Sequence, residues 1–334
     1  MLSRVGRYVG LLFGVLIVIQ CNCGSATAQS IEIESIHPAR DKADLLWVSS
    51  DWAVWRKSTL IEETRHHRGQ SFKHKYYRQS LTEDAARLML EHSDGSGRPQ
   101  VTVTNQGDLV LTERGHYVAW HSNAGTKSLS TEIKGLIVQL YPDGVLAKVP
   151  QKGAITYIPF DGRWLATDRT IEIAPAGIER LQHRDPVRNN ATFAWSTRGA
   201  IHLVDIASGK HRLLNTPQFL GDQHIPSNFV VAFDDQTIIS SAQAYDATNG
   251  EILGNVKYWE KGYSNRWLIA VRNRIGYYLQ EKQILAREID SSTREARLVS
   301  DAPHLPIAQN SDGLILWTGT EWKRIPWLTS FPDR

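Results

Sequence analysis

Apolar residues in this chain come in short runs. NFVVAF (Asn228 to Phe233), RWLIAV (Arg266 to Val271) and ATFAWS (Ala191 to Ser196) lie in the second half. HYVAW (His116 to Trp120), GLIVQL (Gly135 to Leu140) and AITYIPF (Ala154 to Phe160) repeat the habit earlier. The turn dipeptides Asp143-Gly144, Asp161-Gly162 and Asp312-Gly313 punctuate them, which predicts strands joined by tight turns. Near-continuous apolar runs fit inner strands buried between neighbouring sheets. Alternating runs such as IHLVDI (Ile201 to Ile206) fit outer strands that are wet on one face.

One hairpin is written three times. VDIASGKHRLL (Val204 to Leu214) returns as AYDATNGEILGN (Ala244 to Asn255) and more loosely as EIDSSTREARLV (Glu288 to Val299). Asp205 and Asp246 each stand four positions before a glycine, Gly209 and Gly250. A glycine there suits a turn residue at positive φ, and the aspartate can accept from turn amides. The third copy has Arg294 in place of glycine, so its turn must differ. Asp205, Asp246 and Asp290 are spaced by about 40–45 residues, the length of one four-stranded propeller blade.

The expected fold is therefore all-β: a β-propeller of about seven four-stranded blades, with six or eight also open. A pair of β-sandwiches or a β-solenoid is the competing architecture. IEIESI (Ile31 to Ile36) alternates and is expected to supply the outer strand of the last blade, closing the ring. The hairpin pattern resembles the outer hairpins of WD40-like, TolB-like and quinoprotein-type β-propellers. It is clearest over residues 190–300, and no WD dipeptide, opening Gly-His pair or quinoprotein tryptophan motif recurs. The resemblance implies an architecture and no particular family.

The first segment changes the composition. Arg4 and Arg7 precede an apolar run from Val9 to Ile19, and Ala26-Thr27-Ala28 forms an A-x-A pattern. This predicts a signal peptide over residues 1–28, cleaved after Ala28, and a secreted or periplasmic protein. A membrane anchor and a lipoprotein at Cys21 or Cys23 are the alternatives. The run is shorter than the ~20 residues of a bilayer span, so no transmembrane segment is expected in the mature chain. Both cysteines leave with this segment, and about 300 residues must hold together by an ordinary core. Two arginines leave as well, so 38 basic and 35 acidic residues become 36 and 35. Little is left of the excess that would suggest a nucleic-acid binder, and none is expected.

The remaining domain, residues 29–334, is expected to carry an irregular basic insertion around 56–100. RKSTLIEETRHHRGQSFKHKYYR (Arg56 to Arg78) holds seven Lys and Arg against Glu62 and Glu63. Charge asymmetry of this kind creates a local positive field. Arg65, His66, His67, Arg68, Lys73, His74, Lys75, Tyr76 and Tyr77 form the candidate binding segment. Three readings stand open: a solvated rim loop, a patch for a protein or anionic glycan partner, and a histidine metal site. Adjacent His66 and His67 point to opposite faces of a strand, and no metal is expected. SLTEDAARLMLEH (Ser80 to His92) matches a capping box and helical face. Alternatively RLMLEH (Arg87 to His92) pairs with PQVTVT (Pro99 to Thr104) as a hairpin.

Catalytic motifs do not appear. There is no G-x-S-x-G elbow, P-loop, G-x-G-x-x-G or EF-hand loop. SDGLILW (Ser311 to Trp317) has the wrong spacing for an Asp box and reads as a turn feeding a buried strand. Asp234-Asp235 reads more simply as a turn than as an acid–base or cation site. Eleven tryptophans are expected to pack between blades, with sugar stacking as the alternative; Trp52 with Trp55 and Trp317 with Trp322 are the pairs to inspect. The function expected is a binding or scaffold module without a cofactor. The alternative is a propeller hydrolase or lyase acting on carbohydrate or peptide at the central pore.

Overall fold

A computed structural model describes residues 34–63, 70–94, 99–122, 131–148, 153–175, 186–189, 191–197, 200–216, 230–240, 243–256, 266–280, 283–289, 295–299 and 304–331. The signal-peptide expectation lies outside these residues. Seven antiparallel sheets follow one another along the chain.

Blade 1 comprises β1 (Ser35–Ile36), β2 (Asp44–Val48), β3 (Trp52–Glu63), β4 (Gln70–Ser80) and β5 (Ala86–Asp94). Blade 2 holds β6 (Val101–Val103), β7 (Leu109–Glu113), β8 (Tyr117–His121) and β9 (Thr131–Glu132). Blade 3 holds β10 (Leu136–Tyr141), β11 (Gly144–Lys148), β12 (Ile155–Asp161), the short β13 (Trp164–Leu165) and β14 (Ile171–Ala174). Blade 4 is β15 (Val187–Asn189), β16 (Thr192–Thr197), β17 (Ala200–Asp205) and β18 (His211–Asn215). Blade 5 is β19 (Val230–Phe233), β20 (Thr237–Ser240), β21 (Gln243–Asp246) and β22 (Ile252–Asn255). Blade 6 is β23 (Arg266–Arg272), β24 (Ile275–Gln280), β25 (Gln283–Glu288) and β26 (Glu295–Val299). Blade 7 has three strands among the described residues, β27 (His304–Gln309), β28 (Gly313–Trp317) and β29 (Trp322–Pro326).

Innermost strands touch between blades 1 and 2, 2 and 3, 4 and 5, 5 and 6, and 7 and 1, while shared apolar cores join blades 3 and 4 and blades 6 and 7, so the seven blades close into a ring. Each junction has its own apolar core. Val54 and Tyr76 of blade 1 meet Val103 and Leu109 of blade 2, for example, and Tyr157 of blade 3 meets Phe193 of blade 4. The second strand of a blade is the driest: Gly313 to Trp317 and Ile275 to Leu279 are buried at every position. That strand is flanked within its sheet and covered on both faces by neighbouring blades.

Polar staples join the blades at the turns between first and second strands. Arg188 is bidentate to Asp143 at 2.7 and 2.6 Å, bridging blades 4 and 3. Its guanidinium stands 4.8 Å from the Tyr141 ring and 5.1 Å from the Tyr157 ring. Burial opposes ionisation of Asp143, but hydrogen bonds and charge from Arg188 outweigh it and hold the carboxyl below its usual range. Arg163 grips the buried Asp108 in the same way across blades 3 and 2, at 2.8 and 3.2 Å. Asp234 accepts from the Gln236 and Thr237 amides in its own turn and from the Asn273 amide of blade 6, at 2.9, 2.7 and 2.8 Å. The Asp234-Asp235 segment is thus a turn and an inter-blade tie.

The repeated hairpin is the outer hairpin of blades 4 and 5, β17–β18 and β21–β22. Gly209 and Gly250 have φ of 66° and 80°. The Asp205 carboxylate accepts from the Ser208 amide, and Asp246 from the Thr248 amide, each at 2.8 Å. Residues 290–294 of the third copy lie outside the described residues.

Four expectations need correction. The described part of IEIESI does not join blade 7: β1 pairs with β5 on the outer edge of blade 1, and Ile31 to Ile33 lie outside the described residues. Ile36 joins the apolar core there, and the Glu34 carbonyl accepts from the Leu88 amide at 2.8 Å. Closure comes instead from Trp55 of blade 1 packed on Trp317 and Trp322 of blade 7, with ring centroids 5.3 and 5.9 Å apart. The outer edge of blade 7 ends in Lys323, Arg324 and Pro326, residue types that blunt an edge strand. Ser80 to His92 is not helical: Ala86–Asp94 is strand β5. The buried Gln79 amide holds the Glu83 carbonyl at 2.7 Å and fixes residues 81–85 as a turn. Nor does RLMLEH pair with PQVTVT, since β5 pairs with β4 while β6 opens the next blade. Finally, continuous apolar runs do not mark inner strands alone. GLIVQL, NFVVAF and RWLIAV fall on first strands, ATFAWS on a second, and HYVAW and AITYIPF on third strands. IHLVDI is likewise a third strand, not the outermost one.

Candidate functional site

The basic stretch expected to be irregular forms regular strands wherever it is described. β3 and β4 run 12 and 11 residues, while no strand outside blade 1 exceeds seven. β2 covers only Ala53 to Arg56 of β3, so among the described residues Lys57 to Glu63 run on without an inner neighbour. With β5 alongside, the overrun makes a three-stranded tongue on the side of the ring where second strands turn into third strands.

Alternation along the strands divides the tongue into two faces. Lys57, Lys73 and Lys75 share the face that leads down to Trp55 and Tyr77 and the junction with blade 7. Lys57 and Lys75 are directly paired in register, a repulsive arrangement if left alone. Acids from outside the basic stretch neutralise it. Lys57 Nζ lies 3.3 Å from Asp41, Lys75 Nζ lies 2.5 Å from Glu34, and Lys73 pairs with Glu91. Hydrogen bonds from Lys75 and then Tyr77 hold the Glu34 carboxyl below its usual range, and Glu34 raises Lys75 in turn. Burial, then the Glu34 hydrogen bond, pushes the Tyr77 hydroxyl up.

The opposite face leads down to Val54 and Tyr76 and the junction with blade 2. Its rows across β3, β4 and β5 are Arg56–Tyr76–Leu90 and then Ser58–His74–His92, with Leu60 beside Phe72 farther out. Arg56 pairs with Asp44 at 3.0 Å. Phe72 and His74 are stacked with centroids 6.0 Å apart, and His74 is 6.3 Å from Tyr76. Leu60 is 44% exposed.

The structure therefore separates the residues that the sequence groups together. Lys73 and Lys75 lie on one face and His74 on the other. Tyr76 and Tyr77 are fully buried at the tongue's base, in two different inter-blade cores. Arg65, His66, His67 and Arg68 lie outside the described residues. Glu34, Asp41, Glu91 and His92 went unrecognised as parts of this surface. Lys75 and Glu34 are 41 positions apart, so no local pattern signals their meeting. Among the described residues no three His, Cys, Asp or Glu side chains converge on one point.

No protein-family model matches the chain, and neither does any curated protein sequence. Solved propellers are similar in fold. BamB from Moraxella catarrhalis is 11% identical with a TM-score of 0.43, covering 87% of this chain and 97% of that one. The β-propeller domain of the Trilobed protease from Pyrococcus furiosus gives 10% and 0.46, covering 87% and 99%. Hsv2p from Kluyveromyces lactis gives 8% and 0.44, covering 78% and 89%. Nothing about partner or activity follows from likeness at this level. The ring of seven blades rests on the strand pairing itself.

Proposed function

We propose that this protein is a secreted or periplasmic propeller that binds a protein partner, with the ring as scaffold and the tongue as contact surface. The observation that carries the reading is the length of β3 and β4, which run far past what blade 1 needs for its own pairing. The described side chains of the overrun, Lys57 to Leu60 and Phe72 to Lys75, belong to none of the inter-blade cores, and Leu60 is 44% exposed beside the half-buried Phe72. A partner explains that placement. The balanced charge on the lysine face favours a protein over an anionic glycan, because Lys57, Lys73 and Lys75 already have carboxylates. The N-terminal pattern supports the compartment. No helix among the described residues is long and apolar enough to cross a membrane.

Site-specific photo-crosslinking in the producing cell tests this. A photoreactive residue at position 60 or 72 is expected to give a discrete adduct that Leu213, a 54%-exposed position on the outer strand of blade 4, does not give. The same adducts at all three positions, or none at the tongue, would sink the reading.

A further inference from the structure

Arginines set into the body of this ring are held by carboxylates. Arg188 is bidentate to Asp143 across blades 4 and 3, and Arg56 pairs with Asp44 within blade 1. Arg78 has no such partner among the described residues. It stands near the end of β4, on the side of the ring opposite the tongue, and is 8% exposed. Its Nη1 donates to the Gly107 carbonyl of blade 2, and its guanidinium carbon lies 4.3 Å from the centre of the Trp52 ring. A side chain at Gly107 would bring a Cβ within 2.8 Å of Nη1, so glycine there is what admits the guanidinium. Both contacts fix its position, and neither supplies a countercharge. Nε is enclosed without a hydrogen-bond partner. Of the three nitrogens, only Nη2 is neither bonded nor enclosed.

The acids nearby are already engaged. Asp108 and Glu83 are the carboxylates whose field reaches Arg78. Arg163 grips Asp108 at 2.8 and 3.2 Å, and Arg87 lies 3.7 Å from Glu83. Three guanidinium groups therefore face two carboxylates, which leaves one positive charge in a buried seam. Burial, and then the field of Arg87, disfavours that charge, yet a guanidinium stays ionised at any ordinary pH. A buried charge without a countercharge is costly, and a bound anion removes the deficit.

We propose that Arg78 anchors a binding site for a small carboxylate, taken up at Nη2 in the seam between blades 1 and 2. The single surplus charge selects a monoanion. A dianion such as phosphate would leave excess negative charge beside Asp108. The seam lies away from the tongue, so the site does not rest on the partner reading.

Acetate is the probe. The urea midpoint of the full chain, measured at fixed sodium concentration with chloride as the balance, should rise with acetate and saturate. A ligand that binds only the folded state lowers the unfolding constant about elevenfold at ten times its Kd. Arg78→Met keeps an apolar contact with Trp52 and removes the charge, and should lose the acetate dependence. Arg212→Met, on the exposed outer strand of blade 4, should keep it. Because a variant can fail by misfolding, the Arg78 Nε–H nuclear magnetic resonance signal of the wild-type chain supplies a second readout, and it should shift along the same saturation curve. No saturable rise, the same rise in Arg78→Met, or an unmoved Arg78 signal would each overturn the proposal. Tighter saturation by phosphate than by acetate would overturn its assignment to a monoanion.

Discussion

Single carboxylates decide how one blade meets the next. Asp234 satisfies two amides of its own turn and one of the neighbouring blade. Asp235 beside it is exposed. Asp234→Ala leaves those amides without their acceptor in a half-buried turn, and should cost about 1–3 kcal/mol. Asp235→Ala should stay within about 0.5 kcal/mol. Urea unfolding of the two variants measures the difference, and equal losses would show that the inter-blade tie is not what matters. At this scale the local turns were legible, because Asp205 with Gly209 and Asp246 with Gly250 interact within five residues. The tongue's ion pairs were not, because Glu34 and Asp41 reach it from outside the basic stretch. A run of lysines read alone overstates the field that folding leaves.

Apolar runs announce strands without ranking them within a blade. Second strands are drier than first strands, because each blade is covered on both faces while the first strand also borders the pore. Period and turns were enough for the propeller, yet they misplaced IEIESI, whose alternation suits the edge of any blade. Its choice of blade 1 depends on Glu34 finding Lys75 and Tyr77, a tertiary fact. The same holds for Ser80 to His92, where a capping sequence loses to the Gln79 amide and to the burial of Ala86 and Met89. Closure between blades 1 and 7 then falls to three tryptophans. Trp317→Ala should destabilise the protein by about 3–5 kcal/mol, and Trp164→Ala, 54% exposed, by no more than about 0.5 kcal/mol. Similar chemical-denaturation midpoints for the two would argue against the tryptophan clamp.

As a whole, the molecule is a ring of seven blades with inter-blade cores at every junction and one appendage that the ring does not use. The tongue's base is tied into two of those cores by Tyr76 and Tyr77, while the described side chains of its outer half belong to neither. That division is why partner contact is assigned to the outer half. It also means the outer half should be removable. The direct measurement is denaturant unfolding of a chain in which residues 58–74 are replaced by Asn-Gly, a two-residue turn that suits the paired Lys57 and Lys75. One cooperative transition is expected, with a stability within about 1 kcal/mol of the parent. Loss of cooperativity, or a drop of several kcal/mol, would show that the tongue belongs to the ring's architecture, and the division between scaffold and contact surface would fall.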